Sequence, residues 1–504
     1  MKLSKFAAAA LGASALALLS AGAQAANVVD FAAAGSSAQF TTFTAAFLAQ
    51  GYNNHYTKKS SANFQVAPAV PGITAEAGVP NENAQVAIYW KGTAPNLQIA
   101  VFYQVDSTVG VRAFFNNDTL TTPAVPGAPD NVGITTGDVA LDNDVRIAVN
   151  GTPVNIGATD ITPEDARVAT ERAINLGYGP SSPIVSAVNA LSQADPVRFS
   201  ITSKPFILKQ LGAVPVVVFV NKGPNFSALS GANLNIDSFQ LAGFLSGQFN
   251  RVGDLNYDAA NSQAPVHTYV REPLSGTYNT IEYTNAEAQG LLNFTGGLPS
   301  GNTAASGGQE LNVASNPLNE PSSGLGSGPG NSGRIRAIGT GELIGAVNGD
   351  ATDALGYAFY SAGSFTAAKA NKLTYLTVNG ADPLLDNYAG GNFPVTASFR
   401  NVANGGYPLW SILRVIEPAS PSSTVIAIVN SAVGAASGAD FVPSSALRVF
   451  RSYHATPFTV GAAANGNQSG KPANGGDVGG AVFSINNDKN NIADFGSGLT
   501  NLRQ

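Results

Sequence analysis

The run AVPVVVFVNKG, residues Ala213–Gly223, predicts the centre of the fold. It begins with eight apolar residues in succession and has the length of a β-strand. An apolar run that does not alternate with polar residues is typical of a strand buried on both faces of a sheet. Such a strand needs helices packed against it, which indicates an α/β protein.

The flanking sequence supports this class because further apolar strands alternate with helical patterns. The predicted strands include LQIAVFYQV (97–105), ALGYAFYSA (354–362) and GGYPLWSILRVIEP (405–418). The predicted helices are residues 41–50, a helix capped by Thr162 with Pro163 as its first residue, NIDSFQLAGFLSGQF (235–249), SSTVIAIVNSAVGAAS (422–437) and VPSSALRVFRSY (442–453). We expect a loop-rich segment over 53–95 that ends in AQVAIYW (84–90), and hairpins and loops over 113–152. Strands alternating with helices indicate α/β.

The composition limits the possible functions. The chain has 504 residues, of which 44% are hydrophobic and 12% charged, too few charges for a chain kept unfolded by self-repulsion. It has no cysteine, which excludes disulfides, thiolate metal sites and a cysteine nucleophile. The formal net charge of −6 argues against nucleic acid as a partner. One small anion remains possible, because it responds to local dipoles.

The N-terminus predicts export. Lys2 and Lys5 precede an apolar segment that ends in Ala23-Gln24-Ala25, the pattern of a secretory signal cleaved after Ala25. This segment is too short to be a good membrane span, and we expect no membrane-spanning helix elsewhere. The expected location is the periplasm or the medium.

Several strand ends carry small polar residues just before a possible helix. These are Gly35-Ser36-Ser37, Asp106-Ser107-Thr108, Asp160 after NIGAT, and Ser275-Gly276-Thr277, which follows Arg271 by four residues. In open α/β sheets, ligands bind beyond the carboxyl ends of strands, so these turns are expected to share one cleft. Each feature alone is explained more simply, as a helix cap, a turn residue or a surface arginine.

In their order along the chain, these segments resemble the periplasmic phosphate-binding proteins of ABC importers and their secreted relatives. AAGSSAQF, YQVDSTVGVR and VNIGATDITPED resemble the first three ligand-binding turns of that family, and REPLSGT matches its Arg-x-x-x-Ser-Gly-Thr site with identical spacing. The resemblance covers most of residues 27–455. It implies a two-domain α/β binding protein of the type 2 periplasmic fold, with hinge crossovers and long loop insertions.

The resemblance also implies roles for individual residues. Arg271 would supply charged donors, and Ser275, Gly276 and Thr277 would donate at a helix start. Phe40 would contribute its backbone N–H, and Gln39, where many relatives have threonine, would keep a donor.

Ser107 would donate through its hydroxyl, and Asp160 would accept a hydrogen bond. A buried carboxylate can accept only from an oxyanion that still carries a proton. Hydrogen phosphate carries one near neutral pH, whereas sulfate carries none and would meet an unpaired like charge. Asp160 is therefore the expected source of selectivity. Asp106 departs from the family pattern, where glycine stands, and its carboxylate would repel an anion if it pointed inward.

The resemblance implies a secreted binding protein that captures phosphate or a similar protonated oxyanion, acts as a monomer and delivers its ligand to an ABC permease. The alternative is a released or surface-associated structural or interaction protein that keeps the fold without transport. Nothing in the sequence indicates a catalytic residue, a cofactor or a metal site, and a hydrolase is only a remote alternative. The expected organisation is a signal peptide (1–25), domain I (26–221 and 394–460), domain II (222–393, with a Gly/Ser-rich insertion at 295–333) and a Gly/Asn-rich tail (461–504).

Overall fold

The structure is a computed structural model, and it describes a defined part of the chain. The described residues are 26–67, 83–132, 137–163, 165–167, 199–229, 234–246, 249–255, 263–271, 275–281, 334–337, 339–361, 363–365, 372–386, 392–394, 396–435, 440–451 and 482–484. The expected signal peptide, the insertion at 295–333 and all of the tail except 482–484 lie outside these residues.

Strands and helices alternate along much of the described chain. The strands are β1 Val28–Gly35, β2 Asn54–Ala67, β3 Asn83–Lys91, β4 Gln98–Gln104, β5 Thr119–Leu120, β6 Ile156–Thr159, β7 Phe206–Asn221, β8 Asn235–Ile236, β9 Val266–Arg271, β10 Arg334–Ala337, β11 Asp353–Phe359, β12 Leu373–Tyr375, β13 Thr377–Val378, β14 Trp410–Pro418, β15 Val442–Pro443, β16 Val449–Arg451 and β17 Val482–Ser484. The α-helices are α1 Phe40–Ala49, α2 Ser107–Asn116, α3 Asn143–Val149, α4 Ser238–Ser246, α5 Gly276–Ile281, α6 Thr340–Gly349, α7 Arg400–Ala403 and α8 Ser423–Ala435.

Most of these strands belong to one sheet. Within the described residues it has thirteen strands in the order β10-β9-β11-β7-β14-β6-β1-β4-β3-β2-β5, with β12 and β15 also paired to β7. β1 runs parallel to β4 and β6, and β9 runs parallel to β10 and β11. β7 is antiparallel to both β11 and β14. The fold is therefore mixed α/β with a large mixed sheet. The α/β class agrees with the prediction from the sequence.

The strand β7 joins the two halves of the sheet. Residues 206–215 pair with β14, and residues 216–220 pair with β11. The side chains of Val214 and of 216–220 are fully buried, which confirms that the run AVPVVVFVN is a strand covered on both faces. The strands whose ends line the site described below lie on both sides of β7: β1, β4 and β6 on one side, and β9 on the other.

Helices cover both faces of the half that contains β1. Phe31 and Ala33 belong to the apolar core that includes α1, whereas Ala32 and Ala34 belong to the core that includes α2. Successive residues of a strand face opposite sides of a sheet, so β1 lies between two layers of helix. The predicted cap at Thr162 is confirmed, because its Oγ1 accepts from the Asp165 N–H at 3.1 Å and donates to the Asp165 carboxylate at 2.8 Å.

Three predictions of secondary structure are wrong. The interval 53–95 contains the strands β2 and β3, which pair with each other through backbone hydrogen bonds although β2 is rich in lysine, serine and asparagine. The interval 113–152 contains the end of α2 and the helix α3, which Asp142 caps through its side chain. The segment 442–453 contains β15 and β16 instead of a closing helix. At β15, Pro443 pairs with Gly212 of β7, whose missing side chain leaves room for the crossing chain.

A buried carboxyl group in the central sheet makes the stability of the protein depend on pH. Glu417 of β14 is 1% exposed, and its burial raises its pKa to about 7, against the opposing charge of Lys209. The folded protein thus holds this proton more tightly than the unfolded chain does. Stability is therefore expected to fall as the pH rises from the ordinary glutamate pKa to about 7.

Replacement of this side chain by its neutral isostere tests the effect. Glu417→Gln is expected to raise the Tm by a few degrees at about pH 8 and to leave it unchanged at about pH 5. Thermal unfolding followed by circular dichroism measures both. Asp386→Asn is the control of opposite sign, because Ser398 and Arg400 hold the pKa of that exposed carboxyl below its usual value. Equal Tm gains for Glu417→Gln at both pH values would contradict the assignment.

Candidate anion-binding site

Polar side chains from the ends of β1, β4, β6 and β9 meet around one recess. The space between their atoms is about 150 Å³, part of it open to solvent, and almost none of it is wide enough to admit a water molecule. β1, β4 and β6 are parallel neighbours, so their carboxyl ends lie at the same edge of the sheet. The lining residues are Ser36, Ser37, Val105, Asp106, Ser107, Asp160, Arg271, Ser275, Gly276 and Thr277.

Asp160 lies at the centre of the recess. It is 2% exposed, and its two carboxylate oxygens accept hydrogen bonds from Ser107 Oγ at 2.5 Å and Ser36 Oγ at 3.0 Å. Burial raises the pKa of Asp160, while the two hydroxyl donors and the charge of Arg271 act in the opposite direction. The carboxyl group is therefore a fixed acceptor that is poorly solvated, as selective recognition of a donor requires.

Gly276 allows α5 to begin directly against this carboxylate. A Cβ at position 276 would lie 1.5 Å from Asp160 Oδ1 and 2.6 Å from Ser107 Oγ. The backbone at the start of α5 therefore closes over Asp160 as only glycine permits. This contact joins the Ser275-Gly276-Thr277 segment to the Asp160 turn, 116 positions apart in the sequence numbering.

Arg271, the last residue of β9, supplies the positive charge. Its side chain is 3% exposed, and Nη2 donates to Asp106 Oδ1 at 2.7 Å. Nη1 donates to Thr340 Oγ1 at 2.8 Å, and the backbone N–H donates to Tyr357 Oη at 3.1 Å. The guanidinium is thus held from several sides, with one carboxylate in direct contact. Asp106 points inward, the orientation in which its charge opposes that of an incoming anion.

The structure brings most of the candidate residues together. Those that line the recess are Ser107, Asp160, Arg271, Ser275, Gly276 and Thr277. Gln39 and Phe40 do not line it. Gln39 Nε2 donates to the carbonyls of Thr159 and Arg414 at 2.9 and 3.0 Å, and the Phe40 N–H donates to the Ser37 carbonyl within a short 3₁₀ turn. The Phe40 ring packs against Phe102.

The sequence predicts no individual role for several lining or supporting residues, although it places the turn of Ser36 and Ser37 at the cleft. Ser36 binds Asp160, and Ser37 contacts Thr340 Oγ1 at 3.1 Å, which connects the β1 turn to α6. The hydroxyls of Ser36 and Ser37 stand directly after a buried strand, and this position was the available signal for them. Thr340 follows Gly339 at the start of a helix, but nothing in the sequence connects it to Arg271.

The other polar clusters in the described part of the chain are less suited to binding a ligand. Among the residues that the structure describes, no group of three or more His, Cys, Asp or Glu side chains could hold a metal ion. His55 contacts Asp138 at 2.6 Å, and His267 contacts Asp350 at 2.5 Å, and neither pair lines the recess. None of the described helices has both the length and the apolar composition to cross a bilayer.

Comparison with known proteins gives only distant similarities. No protein-family model matches the sequence, and no curated protein matches it. Among solved structures, an ABC-type phosphate transport receptor from Vibrio cholerae is 14% identical, with 51% of this chain and 85% of that chain covered and a TM-score of 0.28. A possible phosphate binding protein from Planctomyces limnophilus is 11% identical, with 58% and 77% covered and a TM-score of 0.29. Similarities this low do not define the function of the chain.

Proposed function

We propose that this chain is a secreted solute-binding protein that captures a protonated tetrahedral oxyanion, with phosphate as the first candidate. The observation that carries the proposal is the convergence of a buried guanidinium, Arg271, and a buried carboxylate, Asp160, on one recess lined by hydroxyl groups. The guanidinium attracts the anion, and the hydroxyls offer donors without adding charge. The carboxylate requires a donor from the ligand itself.

Capture would occur by closure of two domains around the ion. The pairing change along β7 supports a boundary there, because Ser107 and Asp160 follow strands on one side of β7 and Arg271 ends a strand on the other. The proposed domains are residues 26–221 with 394–460, and residues 222–393. The lining groups contact one another directly, so the ion would be admitted when the domains separate and enclosed when they close. An ABC permease would receive the loaded protein.

Titration with phosphate, arsenate and sulfate tests the proposal. The protein is expected to bind phosphate and arsenate and to reject sulfate, because sulfate offers no proton to Asp160. Asp160→Asn supplies an amide donor and removes the charge, so the preference for phosphate over sulfate is expected to shrink by roughly tenfold or more. Isothermal titration calorimetry measures each affinity.

The matched control for this variant is Asp382→Asn. Asp382 is also a buried carboxyl whose pKa is raised by burial, but it binds Tyr375 and the backbone of 384–385 away from the recess. Its replacement should leave the selectivity unchanged. Unaltered selectivity in Asp160→Asn would remove the role assigned to Asp160, and absence of phosphate binding by the wild-type protein would contradict the proposed function.

The contact between Arg271 and Asp106 favours a second candidate. This ion pair neutralises the guanidinium from within the chain, as a bound anion otherwise would. A protein that kept the fold for a structural or interaction role would use such a pair to fasten the two halves together. In that case the wild-type protein would bind none of the three anions, and Asp106→Asn would lower its stability without creating an anion site.

A further inference from the structure

The hydroxyl group of Thr340 contacts both sides of the recess. Thr340 is the first residue of α6 and is 5% exposed. Its Oγ1 accepts a hydrogen bond from Arg271 Nη1 at 2.8 Å and lies 3.1 Å from Ser37 Oγ, in the turn after β1. A guanidinium can only donate, whereas each of the two hydroxyls can donate or accept. Thr340 can therefore bond to both partners at once. Arg271 and Thr340 belong to the proposed domain of residues 222–393, and Ser37 belongs to the other proposed domain.

The helix α6 is packed closely against the sheet, so the position of this hydroxyl is well defined. Leu343 and Val347 are one helical turn apart and fully buried. A Cβ at Gly356 of β11 would lie 2.8 Å from Leu343 Cδ2 and 2.7 Å from Val347 Cγ2. The two side chains thus occupy the space above Gly356. Thr340 belongs to this packed helix and not to a flexible loop.

Both ends of α6 are bonded to the same face of β9. His267, Tyr269 and Arg271 are alternate residues of that strand, so their side chains lie on one face. Asp350, which follows the last residue of α6, accepts from Tyr269 Oη at 2.7 Å and contacts His267 Nδ1 at 2.5 Å. Thr340 makes the corresponding contact with Arg271 at the other end of the helix. The helix and the strand therefore hold the Thr340 hydroxyl and the guanidinium in register.

The two contacts of the Thr340 hydroxyl would behave differently when the domains separate. Arg271 and Thr340 stay on the same domain, so their hydrogen bond persists in the open form. Ser37 moves away with the other domain, so its contact with Thr340 exists only in the closed form. An interaction that is present only in the closed form stabilises that form and slows the release of an enclosed ion.

We propose that Thr340 is a positioning residue for anion capture, whose hydroxyl orients the Arg271 guanidinium and, through Ser37, stabilises the closed form. This inference rests on the proposed function and adds a residue that acts on the ligand through its neighbours. It follows from a buried hydroxyl within hydrogen-bonding distance of both partners, on a helix that packing holds in place. The ion pair between Arg271 and Asp106 does not involve this hydroxyl, so loss of the hydroxyl should weaken binding and not abolish it.

Removal and restoration of the hydroxyl test the proposal. Thr340→Val keeps the shape of the side chain without the hydroxyl, and its phosphate affinity is expected to fall by roughly tenfold. Thr340→Ser restores the hydroxyl and should recover most of that loss. Ser37→Ala removes only the contact specific to the closed form, so it is expected to release phosphate roughly threefold to tenfold faster with little change in the rate of binding. Calorimetry measures the affinities, and a chase of bound radiolabelled phosphate with excess unlabelled phosphate measures release.

The double variant Ser37→Ala/Thr340→Val separates action through Thr340 from a direct contact of Ser37 with the ion. If Ser37 acts through Thr340, Ser37→Ala should have little further effect once the hydroxyl at position 340 is gone. Fully additive losses would show that the two residues act separately and would overturn the inference.

Thr377→Val is the matched control. Thr377 is also 5% exposed, and its Oγ1 donates to Asn235 Oδ1 at 2.8 Å, away from the recess. This variant loses a comparable bond and should keep the affinity and release rate of the wild type. Wild-type affinity in Thr340→Val, no recovery in Thr340→Ser, or wild-type release in Ser37→Ala would overturn the inference and leave the proposed function standing. Absence of phosphate binding by the wild-type protein would overturn both.

Discussion

Gly276→Ala is expected to abolish phosphate binding, although alanine is the better helix former. By helix propensity alone, alanine would stabilise α5 by up to about 1 kcal/mol. The added Cβ, however, would lie 1.5 Å from Asp160 Oδ1 and 2.5 Å from Asp160 Cγ. Asp160 cannot turn away without losing its bonds to Ser36 and Ser107, whose hydroxyls donate to this buried carboxyl group.

The expected size of this effect is a loss of at least about 100-fold in phosphate affinity, or about 3 kcal/mol. A loss of stability of about 1–3 kcal/mol should accompany it, because the space around position 276 is already filled. Calorimetry and thermal unfolding measure the two quantities.

A glycine in the first turn of another helix provides the matched control. Nothing lies within 4 Å of a Cβ built at Gly341 of α6, so Gly341→Ala should preserve binding and add slightly to stability. In the double variant Gly276→Ala/Asp160→Ala, the main clash is absent. Its stability loss should therefore be smaller than the sum of the two single losses, while binding stays lost. Tight phosphate binding by Gly276→Ala would show that the ion does not use this recess.

The sequence predicts those parts of the fold in which a run of apolar residues itself indicates burial. The apolar runs of β7 and β11 indicate burial in a covered sheet, and they lie beside the mostly apolar β14, which also contains Ser411, Arg414 and Glu417. The pattern of apolar residues does not identify β2 as a strand, because lysine, serine and asparagine make up much of it. Its pairing with β3 is a backbone interaction near the end of the sheet, which side-chain patterning does not reveal.

The candidate site shows the same division between local and long-range information. The Arg271–Thr277 spacing is local, and the structure brings Arg271, Ser275 and Thr277 to the same recess as Ser107 and Asp160. The pairing of Arg271 with Asp106 joins residues 165 positions apart, and its geometry depends on how β9 and α2 meet across the sheet. The contact of Arg271 with Thr340 depends in the same way on where α6 begins. Neither contact has a signal in the sequence.

Gly110→Ala is expected to destabilise the protein strongly, because this helical glycine touches the backbone of the central strand. A Cβ at Gly110 of α2 would lie 2.4 Å from the Ala34 carbonyl oxygen and 2.5 Å from Gly35 Cα. β1 is hydrogen-bonded to β4 on one side and to β6 on the other, so it cannot move away. The helix must move instead, and it carries Asp106 and Ser107 at its start.

The expected loss is about 2–4 kcal/mol, since overpacking against backbone exceeds the gain of about 1 kcal/mol from alanine propensity. Thermal unfolding should show this as a Tm lower by roughly 2–4 °C. Gly345→Ala in α6 is the control, because position 345 is exposed and a Cβ there meets nothing within 4 Å. That variant should gain a little stability, and an equal gain in Gly110→Ala would mean that α2 does not lie against β1 at this residue.

Because the displacement would move Asp106 and Ser107 together, surviving Gly110→Ala protein should also bind phosphate more weakly than wild type, whereas Gly345→Ala should not.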